Sequence, residues 1–75
     1  MAVEELRKTR NNARVAYREN LARLHKLQRQ IDTLIAEREE VPYDIAREYE
    51  QTLLRVRDHW SLYYSATTTL KTLGQ

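Results

Sequence analysis

Apolar residues recur along this chain at alternating steps of three and four. In the first half, Val3, Arg10, Tyr17, Leu24, Ile31 and Arg38 form one seven-residue series, and Leu6, Ala13, Asn20, Leu27, Leu34 and Val41 form another. In the second half the expected seam rows are Ala46, Leu53, Trp60, Thr67 and Tyr49, Val56, Tyr63, Leu70. Such spacing gathers each pair of series into one stripe of an α-helix and favours winding of two helices around each other.

The only strong punctuation is Glu40-Val41-Pro42-Tyr43-Asp44. Proline suits the first turn of a helix, and it pushes the residue before it out of helical geometry. Helix one is therefore expected over about 3–39, a turn at about 40–42, and helix two over about 42–73, stopped by Gly74. Each helix would be roughly 50 Å long at ~1.5 Å per residue. So short a connection folds them back antiparallel, giving a single all-α helical-hairpin domain over residues 1–75. A turn at that place sets Asn20 level with Tyr63, Leu24 with Trp60 or His59, and Leu34 with Tyr49.

Further apolar residues fall beside the expected seam: Leu21 and Ile35 in helix one, and Ile45, Leu54, Leu62, Tyr64 and Leu73 in helix two. A bare hairpin leaves these wet, and a second hairpin would cover them. The expected assembly is thus a homodimer forming a four-helix bundle of the coiled-coil-like kind. Asn20 is a polar residue in an apolar seam, a device that fixes register at a cost in stability. It is expected to bond Tyr63 or the matching Asn20 of a second copy. Asn20, Leu54, Leu62, Tyr63 and Tyr64 are the candidate register and interface residues. Tyr17, Tyr49, Trp60 and Tyr63 read as seam packing, since a platform for stacking bases has to be exposed.

Composition sharpens this picture. Glycine and proline occur once each among 75 residues, which removes most routes to strand hairpins. Cysteine is absent, so no disulfide or thiolate metal site staples the chain. A single core is thin at this size, and self-association is the obvious supplement. No apolar run is long enough to span a bilayer, and the start lacks the apolar segment of a signal peptide, so the cytoplasm is the expected compartment.

Charge is unevenly placed although the net is only +2. Residues 6–30 hold eight Lys or Arg against Glu19 alone, while residues 31–50 hold seven Asp or Glu against Arg38 and Arg47. Within the basic arm, Arg7, Arg14, Arg18, His25 and Arg29 fall in a sector about 60° wide beside the apolar stripe, spread along ~33 Å. Arginine forks suit phosphate oxygens, so Arg7, Arg14, Arg18 and Arg29 are candidate contacts for phosphate or for a protein partner.

Catalytic and metal signatures are missing. His25 and His59 make an incomplete shell and lack the spacing that sets two ligands on one helical face. Ser61, Ser65, Thr67, Thr68, Thr69 and Thr72 have no partnered base. The segment Arg29–Arg38 resembles the first helix of the small all-helical chorismate mutases, but over that one helix only. Those enzymes need a further helix to wall their pocket, and no activity is carried over. The chain is expected to be a non-enzymatic protein–protein interaction module of assembly, adaptor, chaperone or inhibitor type, without metal, cofactor or small-molecule substrate. The alternative is a nucleic-acid-binding regulator using the basic stripe of helix one.

Overall fold

A computed structural model describes residues 3–74. Two helices make up the fold, α1 from Val3 to Ala36 and α2 from Tyr43 to Thr72, packed side by side as an antiparallel hairpin. The rod measures 53 × 16 × 14 Å. Its radius of gyration is 16.6 Å, against roughly 11 Å for a compact domain of this length. No helix of the described residues is long and apolar enough to cross a membrane.

The helix ends follow from local chemistry. Glu4 and Glu5 place acid at the positive end of α1, Asp44 does the same for α2, and Lys71 sits at the negative end of α2. α1 stops at Ala36, three residues earlier than the sequence pattern predicts, because Arg38 takes a left-handed backbone with φ 59°. Around it, the Glu39 amide donates to the Leu34 carbonyl at 2.8 Å and the Arg38 amide donates to the Ile35 carbonyl at 3.0 Å. That pair of bonds is the Schellman closure, which normally uses glycine at the left-handed position. The connection thus runs over 37–42, not 40–42. Pro42 becomes the cap of α2, with φ −57° and ψ 144°, and its carbonyl accepts from the Ala46 amide at 3.1 Å. At the far end Gly74, φ 77°, closes α2 as its position in the sequence predicts.

An arginine held left-handed carries a strain of about 1–2 kcal/mol. Replacing Arg38 by glycine relieves it but loosens the unfolded chain. Arg38→Gly is therefore expected to stabilise the hairpin by about 0.5–1 kcal/mol, read as a higher melting temperature.

The seam of α1 is the expected one: Ala13, Leu24 and Leu27 are buried, and Leu6, Tyr17, Asn20, Ile31 and Leu34 are half-buried. Arg10 is half-buried near the open end, and Arg38, expected to continue this row, lies exposed in the turn. In α2 one row is as expected, with Val56 and Leu70 buried and Tyr49 and Tyr63 half-buried. The other row is not. Ile45, Thr52, His59 and Ala66 face α1, and Thr52 and Ala66 are buried. Leu53 and Trp60, expected inside, are 46% and 47% exposed. Thr67 is left at the edge of the seam, half-buried.

Both choices satisfy the same three-four spacing around the shared Tyr49–Leu70 row. The alternative rows differ by one residue and lie about 100° apart, so exchanging them turns α2 by about half that angle. Small Thr52 and Ala66 let two helices approach closely, whereas a seam only two helices wide has no room for an indole.

Register also differs from expectation. Tyr17 meets the ring of Trp60 at a centroid distance of 5.7 Å, where the expected pairing sets Trp60 beside Leu24. Arg23 reaches Glu48 through its Nε at 2.9 Å and through a second nitrogen. Each α2 partner lies closer to the turn than the sequence reading places it. Early termination of α1 draws the two helices past one another.

Candidate functional site

Turning Leu53 and Trp60 outward builds a surface feature halfway along the rod. Trp60 stands at the centre of three rings: Tyr17 at 5.7 Å, Tyr63 at 5.9 Å with planes 29° apart, and Tyr64 at 6.2 Å. Tyr63 and Tyr64 follow Trp60 by three and four residues, so one helical face presents all three. Tyr17 joins them from α1. These offset and tilted geometries are the ones aromatic quadrupoles favour.

Beside the rings runs an open groove of about 250 Å³, lined by Tyr17, Leu53, Val56, Arg57 and Trp60. Val56 forms its floor because it belongs to the seam. Trp60 and Leu53 form one wall, half in water, and Tyr64 is 61% exposed just beyond. Arg57, paired with the neighbouring Asp58 at 3.6 Å, gives the groove a charged edge. The arrangement offers a wide apolar contact with a charged rim.

The opposite edge of the hairpin is different in kind. There Arg23 and Glu48 pair across the helices, both close to half exposed. An ion pair so open to solvent stabilises by less than about 1 kcal/mol, and it acts mainly to choose the register. The two edges thus separate into a polar clasp and an apolar groove.

The sequence-derived candidates divide between these regions. Tyr63 and Tyr64 do come together, in the ring cluster around Trp60. Leu54 and Leu62 are 44% and 48% exposed but point away from the groove, about 100° and 160° round α2 from Leu53 and Trp60 respectively. Asn20 does not bridge the helices through its amide nitrogen: Nδ2 donates to the Ala16 carbonyl one turn back, at 2.8 Å. It is half-buried in the seam. A bond within α1 supplies little cross-helix specificity, so Asn20→Leu is expected to raise hairpin stability by about 1 kcal/mol in thermal melts.

Arg7, Arg14, Arg18 and Arg29 are all exposed along α1, as the ridge reading requires. Arg7 is engaged with Glu4 at 3.4 Å. The residues that sequence reasoning misplaced are Leu53 and Trp60, which it assigned to the seam; Tyr17 keeps its expected seam position and lines the groove as well. The signal that could have found them is the bulk of Trp60 in a row that α2 can replace with a smaller one.

Among the described residues no group of three His, Cys, Asp or Glu side chains is placed to hold a metal ion. His25 is exposed and His59 is half-buried in the seam. The hydroxyls of Thr69 and Thr72 donate to the Ser65 and Thr68 carbonyls at 2.9 and 3.0 Å, which occupies their protons within the helix. Comparison with protein-family models, with curated proteins and with solved structures finds no match to this chain, so its function has to be read from the groove and the ridge themselves.

Proposed function

We propose that this hairpin is a non-enzymatic protein–protein interaction module that docks through its aromatic groove. The observation that carries the reading is the half-exposed Trp60, ringed by Tyr17, Tyr63 and Tyr64 and flanked by Leu53 and Arg57. Tryptophan, tyrosine and arginine are the residue types that dominate binding energy at protein interfaces, where they fill pockets from which water is expelled. In a free chain, by contrast, a large half-wet indole gains little.

The role that fits is assembly, adaptor, chaperone or inhibitor work through a helical face. Photo-crosslinking from Leu53, replaced by a photoreactive amino acid, tests it in the source cell. A discrete protein adduct that disappears in a Trp60→Ala background supports the proposal. Adducts that are insensitive to Trp60 count against it.

A second reading has its own observation. Arg14, Arg18 and Arg29 stand exposed in a ridge on α1 that no acidic side chain interrupts. Binding to phosphates along that ridge would weaken steeply with salt, and Arg14→Glu with Arg18→Glu would flatten the slope by about 2 in log–log terms. Absence of duplex DNA or RNA binding at low salt removes this alternative.

A further inference from the structure

We infer that the occupant of the aromatic groove is a second copy of this chain, packed antiparallel so that the two-fold axis crosses the rod beside Trp60. The inference rests on the interaction-module reading and names its partner.

The first argument is the seam that α2 does not use. Tyr49, Val56, Tyr63 and Leu70 form a row shared by two heptad seams. Ile45, Thr52, His59 and Ala66 complete the one spent inside the hairpin. Ala46, Leu53, Trp60 and Thr67 complete the other with the same three-four spacing; the first three stay exposed, and Thr67 sits half-buried at the edge of the seam. One accidental leucine would not keep that register over about six turns. On α1, Leu21 and Ile35 project to the same side as Tyr17, since they lie about 40° and 0° from it round the helix. Both helices thus offer an apolar strip to one side of the hairpin, which is the geometry of half a four-helix bundle.

Area supplies the second argument. A compact 9.0 kDa chain exposes roughly 4,900 Å² by the scaling of folded monomers, whereas this one exposes 5933 Å². The excess, about 1,000 Å², is close to the ~800 Å² that each partner buries in a standard interface.

Charge then selects the orientation. The turn end, residues 31–50, carries a net −5, and the rest of the chain carries +7. Packing two copies with their turns together would stack like charge on like charge. Turning one copy end over end sets each acidic turn beside the basic open end of the other. Trp60 and Tyr17 lie near the midpoints of their helices, so an axis through the groove lets the two rods overlap along their whole length.

Sedimentation of the purified chain over a concentration series tests the occupant. A dimer is expected, weakened about 30-fold or more by Trp60→Ala or by Leu53→Ser, as for residues central to an interface. Both side chains lie outside the hairpin seam, so helicity by circular dichroism should persist. Leu62→Ser, on another side of α2, should leave the dimer intact. A wild-type chain that stays monomeric to about 1 mM overturns the proposal, as does a dimer indifferent to both groove variants.

Orientation is tested separately. The chain has no cysteine, so Glu40→Cys gives one labelling site in the turn. Spin labels there should lie about the length of the rod apart, near 53 Å. A separation under ~20 Å means the turns lie together and overturns the antiparallel arrangement. The two readings fail differently. A monomer whose Leu53 crosslink to another protein still depends on Trp60 removes only self-docking, and a monomer without that adduct removes both.

Discussion

Leu27→Ala is expected to lower the unfolding free energy by about 3 kcal/mol, enough to leave much of the chain unfolded at 37 °C. The reason is how few large side chains the hairpin buries. Leu27 and Leu70 are each 1% exposed, and the rest of the buried apolar set is Ala13, Leu24, Val56 and Ala66. A folded chain of 75 residues has a total stability of about 4–11 kcal/mol. Losing one of two fully buried leucines therefore removes a large fraction of it, and two facing helices have little freedom to collapse onto the cavity. Leu70→Ala should behave alike. Leu54→Ala, by comparison, removes a side chain already 44% exposed and should cost about 0.5 kcal/mol. Urea unfolding followed by far-ultraviolet circular dichroism at one fixed chain concentration measures all three. Near-equal losses at Leu27 and Leu54 would contradict the seam described above.

Ala66→Leu carries the second large effect, and its sign is opposite to what hydrophobicity alone suggests. Ala66 is 5% exposed and Ala13 is 3% exposed, and the two helices come close because these side chains are small. Three added carbons have nowhere to go without separating the helices or forcing a strained rotamer. The expected cost is about 2 kcal/mol. If α2 could instead rotate and bury Leu53 and Trp60, the same substitution would be tolerated. Ala66→Leu is therefore a test of which row faces α1. Quenching of Trp60 fluorescence by iodide gives an independent check: the indole should be accessible in the dilute wild-type chain and should stay so unless the rotation occurs.

The groove follows from the same competition. A three-four pattern is satisfied by either of two rows in α2, and the rows share the residues that any pattern search weights most, Tyr49, Val56, Tyr63 and Leu70. Counting apolar side chains favours Leu53 and Trp60 for the interior. Volume favours Thr52 and Ala66. In a hairpin without further helices volume prevails, and the rejected row becomes the surface on which the proposed function depends.

Much of this protein is written in its periodicity. The spacing of Val3 to Leu34 determined that the first half of the chain forms one long helix and which stripe of it is covered. Val41-Pro42 determined that the chain turns there, and Gly74 determined where α2 ends. These are local facts, set by the repeat of the helix and by the backbone limits of proline and glycine. The tertiary structure alone decided three others. It closed α1 at Ala36 through a left-handed Arg38, it slid the helices until Tyr17 met Trp60, and it chose Thr52 and Ala66 over Leu53 and Trp60 as the row facing α1. The first is a local closure that uses an arginine where the pattern would look for glycine; the other two depend on the distance between two segments far apart in sequence, of which the pattern along a single helix holds no measure.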